Sequence, residues 1–183
     1  MINSSVFSFA QTNLVYNGDF ELYDTCPSNY SQPLDFQINH CTAWYMPTEG
    51  TSDYFNACNN TTVKVPNNIL GYQQAFDGVG YCGLYANQFS MVLLQCLNGE
   101  YSEYGREYIQ TKLLNQLKPN KNYKLIFYIT KADTIGGYAI KNIGALFTTN
   151  AIGSNCFKPI IANHSIFHSI CLINVVLTGS RIP

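Results

Sequence analysis

Apolar and polar positions alternate most regularly between residues 106 and 147, and that stretch predicts β-strands. Within Glu107-Tyr108-Ile109-Gln110-Thr111-Lys112-Leu113, residues Ile109, Thr111 and Leu113 share one face. Pro119-Asn120-Lys121-Asn122 then reads as a turn. Beyond it Tyr123, Leu125, Phe127 and Ile129 alternate with Lys124, Ile126, Tyr128 and Thr130, and Ile143, Ala145 and Phe147 form a third inward set. A side-chain period of two places each set on one sheet face, so three such segments predict sheets packed face to face. No window of comparable length carries a helical stripe, and the expected fold class is all-β.

Shorter elements precede this region. Residues 14–21 predict a short strand with a turn at Asn17-Gly18, and 24–39 is polar and broken by Pro27 and Pro33. Ala43-Trp44-Tyr45-Met46 predicts a second strand, stopped by Pro47, and Tyr54-Phe55-Asn56-Ala57-Cys58 a brief strand or turn. Gly80 to Ala86 reads as a strand of small and aromatic residues. The tail differs: all 11 acidic residues lie at or before Asp133, and 160–183 is aliphatic with Ser and Asn but without turn-and-strand logic. No internal repeat or linker marks a second globular unit. The expected organisation is a leader remnant over 1–12, a β-sandwich domain over 13–155 and an atypical C-terminal segment over 156–183.

Composition narrows the class. Charged residues make up 11% and hydrophobic ones 46%, with 14 Tyr and 11 Phe, which is the reverse of a disordered chain. Helical proteins carry many charges on their wet faces, so this balance also speaks against them. A net charge of −1 gives no electrostatic footprint for nucleic acid. The longest apolar run falls far short of the roughly 20 residues that span a bilayer, so no transmembrane segment is expected.

Seven cysteines are many for a cytosolic domain, and none form a CxxC pair. Cys26 to Cys41, Cys82 to Cys96 and Cys156 to Cys171 are similar gaps, each able to close a loop worth about 3 kcal/mol. Of these, Cys26–Cys41 is the disulfide expected, bracing the first long loop. Val6-Phe7-Ser8-Phe9-Ala10 before Gln11 reads as the end of a signal peptide, with Ser8-Phe9-Ala10 as cleavage signature. The basic and most of the apolar part are missing, so either the start lies too far downstream or the segment is no signal.

Catalytic motifs are weak. Gly78-Val79-Gly80-Tyr81-Cys82-Gly83 matches GxGxxG, but it follows a polar turn and runs into a strand, so close packing explains the glycines better than pyrophosphate binding. His164 and His168 stand four apart without HExxH, and no GxSxG elbow exists. Glu100, Glu103 and Glu107 cluster, yet Glu100 and Glu103 fall in an expected loop, where solvated charges suffice. The aromatic positions are more suggestive. Trp44, Tyr45, Tyr54, Tyr72, Tyr101 and Tyr104 lie in or beside expected loops among Asn, Gln, Asp and Arg. Aromatic faces stack on the C–H surfaces of sugar rings while planar polar groups bond hydroxyls. Each aromatic has a competing role as a core residue with its polar tip bonded.

Asn13-Leu14-Val15-Tyr16-Asn17-Gly18-Asp19-Phe20-Glu21 resembles the NLVxNGDFE opening of carbohydrate-binding, galactose-binding-like jelly rolls. With Cys26-Pro27, Ala43-Trp44-Tyr45, the 47–58 string, Val65-Pro66-Asn67-Asn68, Gly71-Tyr72-Gln73, 106–110 and 139–147, the chain is similar to the N-terminal domain of exported Bacteroidetes surface proteins of the OmpA-family or gliding-motility-associated kind. The resemblance implies a jelly-roll β-sandwich and a non-catalytic role at the cell envelope. It also implies Asp19 and Glu21 as candidate ligands of a structural calcium, the one cofactor expected. Two departures stand out: Lys141 replaces an acidic residue of the pattern, and beyond about residue 154 the closing strands do not emerge. The sandwich is therefore expected to be truncated or altered there.

The functional expectation is an exported, non-catalytic module at the cell surface, associated with the outer membrane or periplasmic, that binds a polysaccharide or mediates adhesion. Ligand-binding candidates are Trp44, Tyr54, Tyr72, Gln73, Arg106 and Glu107. A structural envelope domain that contacts a protein partner is the alternative, and a glycan-active hydrolase with a carboxylate pair in a cleft is the third reading.

Overall fold

The computed structural model describes residues 12–96, 99, 101–134, 143–153 and 169–180, with backbone alone for 87–95, 101–105 and 169–180. The chain is all-β, with seven strands and one turn of 3-10 helix at Gln37–His40 among the described residues. The strands are β1 (Asp53–Asn56), β2 (Asn67–Asn68), β3 (Gly71–Tyr72), β4 (Gly80–Gln95), β5 (Tyr101–Gly105), β6 (Asn122–Lys131) and β7 (Ser169–Ser180). Five of them form one antiparallel sheet in the order β1-β4-β7-β6, with β5 continuing along the far half of β4. β2 and β3 make a separate small hairpin. No helix among the described residues is long and apolar enough to cross a membrane.

Strand β1 shows why the sheet holds together. Tyr54 and Phe55 are consecutive, so they leave opposite faces, and both are fully buried. Tyr54 joins one core with Phe20, Trp44, Ile38, Cys82 and Leu84, against which Tyr123, Leu125 and Phe127 of β6 pack. The alternation read in β6 therefore places Tyr123, Leu125 and Phe127 as expected, whereas Ile129, the last of the same set, is 41% exposed. Phe55 joins the second core with Val63, Tyr81 and Ala132, and its ring stacks on Tyr81 at 5.2 Å.

Extended segments lie over the first face with single bridges rather than ladders. Val15 pairs with Leu113, Tyr45 with Gln110 and Tyr23 with Cys41. The strands expected over 14–21, 43–46 and 107–113 are reduced to these contacts. Asn17 (φ 51) and Phe20 (φ 61) take left-handed conformations in the turn between them, closed by the Phe20 N–H donating to the Asn17 carbonyl at 3.1 Å. Asn17 tolerates this locally, and Phe20 is held there by full burial against the Trp44 ring, 4.8 Å away.

Three expectations are corrected. The set Ile143, Ala145 and Phe147 forms no strand and is exposed. Among the described residues its alternation finds no partner segment. A strand does arise beyond residue 154, where none was read: β7 pairs with β4 on one edge and β6 on the other. Glu103, expected in a loop, belongs to β5. Residues 1–11, Glu100, Lys141, His164 and His168 lie outside the described residues.

The disulfide joins Cys26 to Cys58, not Cys41. Cys58 lies in the turn after β1, its Cα 6.0 Å from that of Cys26, a normal bridging span. Cys41 is instead a buried thiol that receives a hydrogen bond from the Asn17 amide at 3.3 Å. Burial pushes it up to about 12, so it stays protonated and unreactive. Asn59 Nδ2 donates to the Pro27 carbonyl at 2.8 Å and reinforces the same junction. The bridge spans 32 residues, which the chain-entropy model values at roughly 3–4 kcal/mol. Cys96 is disulfide-bonded as well, so the double variant Cys26→Ser/Cys58→Ser isolates the effect better than a reductant. Urea denaturation should show that loss; a loss below about 1 kcal/mol would mean the junction between the first long loop and the turn after β1 is held without the bridge.

Candidate ligand cleft

A cleft of about 270 Å³ opens where three separate parts of the chain meet. Asn13, Val15, Asn17, Gly18 and Asp19 form one lip, Phe76 and Asp77 the other, and Tyr128 of β6 closes the side. The size suits one ring of a larger ligand rather than a whole drug-sized molecule.

Each wall is fixed by a definite interaction. Asn17 is buried, and its side chain is fully used: Nδ2 donates to the carbonyls of Leu22 (2.8 Å) and Thr42 (2.9 Å), while Oδ1 accepts from the Leu22 N–H (2.8 Å). It therefore shapes the first lip without offering a group to a ligand. Asn13 Oδ1 accepts from the Val15 N–H at 3.0 Å. On the other side Phe76 stacks on Tyr128 with centroids 3.3 Å apart and planes 14° from parallel. One face of Phe76 is covered, yet the residue is still 61% exposed, so its outer face meets solvent.

Asp19 and Asp77 are exposed. Among the described residues the lining holds these two carboxylates and no Lys, Arg or His, which favours neutral or positively charged ligands over anionic ones.

The sequence candidates fall elsewhere, and none of the six proposed ligand residues lines this cleft. Trp44 is only 5% exposed and donates its ring N–H to the Asn17 carbonyl at 2.7 Å. Tyr54 donates its hydroxyl to the Phe20 carbonyl at 2.7 Å and accepts from Asn56 Nδ2 at 2.8 Å. Both are core residues with bonded polar tips, which corrects the expectation that they face a ligand. Glu107 is likewise buried. Its Oε1 accepts from the Thr51 N–H (2.9 Å) and hydroxyl (2.7 Å), and its Oε2 from the Tyr85 N–H (2.8 Å). It ties the 48–52 loop to β4. Arg106 is half-buried beside it. Tyr72 is exposed on β3, with its hydroxyl accepting from Gln74 Nε2 at 2.9 Å, and Gln73 Nε2 turns to the Gln74 carbonyl at 2.7 Å.

Of the calcium candidates, Asp19 lines the cleft, while Glu21 Oε1 accepts from the N–H groups of Val79 and Gly80, each at 2.7 Å. Among the described residues no three His, Cys, Asp or Glu side chains gather as a metal-binding group.

Phe76, Asp77 and Tyr128 were missed. Phe76 carried a usable signal, a large aromatic beside the turn-forming Asp77-Gly78. Tyr128 carried another, an aromatic on the outward register of β6. No protein-family model, curated protein or solved structure matches the chain.

Proposed function

We propose that this chain is a non-catalytic glycan-binding module of the cell envelope, exported, and built on a jelly-roll-like sandwich whose second layer is the extended segments bridged at Val15, Tyr23 and Tyr45. The outer face of Phe76 beside the Asp19 and Asp77 carboxylates is the observation that carries this reading. A sugar ring places its C–H surface on an aromatic face and donates its hydroxyls to adjacent carboxylates. The resemblance to exported Bacteroidetes surface domains supports the same assignment, as do an all-β scaffold and a disulfide.

On a glycan array of neutral, amine-bearing and uronate polymers, binding should favour the first two. Phe76→Ala is expected to weaken it about tenfold or more, with little change in thermal stability because the ring is exposed. Wild-type protein that binds no glycan, or a Phe76→Ala variant that binds equally well, defeats the proposal. A second reading, glycoside hydrolysis, is favoured by the presence of two carboxylates in one cleft. Release of reducing ends from the bound glycan, lost in Asp19→Asn or Asp77→Asn, would establish it in place of simple binding.

A further inference from the structure

The two lips of the cleft are separate in sequence, and one side chain joins them. Glu21 follows directly on the turn that supplies Asn17, Gly18 and Asp19. Its Oε1 accepts from two consecutive backbone N–H groups, Val79 and Gly80, both at 2.7 Å. Two adjacent amides aimed at one oxygen form a small anion-holding concavity, and hydrogen bonds to a charged acceptor are stronger than neutral ones. Gly78 lies between this grip and the residues that face the ligand, Phe76 and Asp77. It has φ +66, and a Cβ there would run into the Glu21 carboxyl group itself. The carboxylate thus fills the space that the missing side chain leaves, and any side chain at 78 would both displace it and strain the left-handed backbone.

We propose that Glu21 is a positioning residue that sets the Phe76–Asp77 loop against the Asn17–Asp19 turn and so fixes the width of the cleft. The proposal rests on the reading of the cleft as a ligand site. The loop has other anchors: the Gln73 N–H donates to the Pro66 carbonyl at 2.8 Å, and the Ala57 N–H to the Val79 carbonyl at 3.0 Å. Loss of Glu21 should therefore loosen the loop locally and leave the sheet intact. Gly78→Ala attacks the same lock from the opposite side by displacing the carboxylate.

Amide hydrogen exchange and titration with a chito-oligosaccharide and its amine-bearing, de-N-acetylated form test this. Exchange at Val79 and Gly80 should quicken at least tenfold in Glu21→Ala and Gly78→Ala, with the amides of 82–84 unchanged. Affinity should fall about tenfold in both variants, while Glu21→Gln, which keeps an acceptor oxygen, should recover most of it. Unchanged exchange at Val79 and Gly80 overturns the clamp. So does faster exchange without loss of affinity in a protein whose wild type binds. If the wild type binds neither probe, the glycan reading loses its support, while the exchange result still decides whether Glu21 holds the loop.

Discussion

Trp44→Ala is expected to destabilise the protein by about 3–5 kcal/mol, the range for removing a large buried aromatic. The ring is packed on Phe20 at 4.8 Å within the first core. Phe20 carries a left-handed backbone (φ 61), a conformation of roughly 1–3 kcal/mol cost that persists only when packing enforces it. Losing the indole removes the surface that enforces it and leaves the Asn17 carbonyl without its 2.7 Å donor. Trp44→Phe keeps most of the packing and should cost less, about 1–3 kcal/mol for the lost hydrogen bond and the smaller ring. Urea denaturation separates the two variants. If Trp44→Ala leaves the midpoint within experimental error of wild type, the indole is not a core element. The same result governs how binding data are read: Trp44→Ala would weaken a ligand by collapsing the Asn17–Asp19 lip, so it is no test of direct contact, whereas Phe76→Ala is.

Alternation made β6 legible, because one face of it packs on a core and the other does not. The small and aromatic run from Gly80 made the start of β4 legible as well; Gly80 itself is needed where a Cβ would come within 2.5 Å of the Phe20 carbonyl. β7 was not readable by the same rule. It is paired on both edges and runs Ile170-Cys171-Leu172-Ile173 and Val175-Val176-Leu177, and consecutive apolar positions carry no period of two. The reverse holds at 143–147, where alternation exists without a partner segment among the described residues. For the cleft, the limits were different. It is assembled from residues 13–19, 76–77 and 128, and no spacing rule links positions so far apart. The aromatics nearest expected loops drew attention instead, and Trp44 and Tyr54 are buried because their polar tips find backbone carbonyls. The disulfide was misplaced for a related reason: similar gaps suggested Cys26–Cys41, but the turn after β1 brings Cys58 to Cys26.

Stability should fall as pH rises from about 5 to 8, and Asp53→Asn should flatten that decline. Asp53 is mostly buried, and burial, reinforced by the nearby Glu107 charge, pushes its carboxyl up to about 8 against the Ser31 N–H, which donates to it at 2.6 Å and pulls the other way. Burial raises Glu107 too, despite its three donors. The Tyr85 phenol beside them is also raised, by burial and by both carboxylates. An acid held above its unfolded value near 3.9 keeps its proton longer in the folded state. Between about pH 4 and 8 the folded chain then binds more protons than the unfolded one, so stability decreases with rising pH and levels off above 8. One such group changes stability by at most about 1.4 kcal/mol per pH unit, hence up to roughly 4 kcal/mol from pH 5 to 8. For a chain of this size that corresponds to a Tm drop on the order of 10 °C. The asparagine keeps an oxygen for the Ser31 N–H but no titrating proton, so at pH 8 the variant should equal or exceed wild type. Circular dichroism melts at pH 5, 6, 7 and 8 decide the matter. A wild-type Tm that is flat or rises across this range, or a variant that retains the full slope, would show that the buried pair is ionised in the folded state at neutral pH and that its donors outweigh its burial.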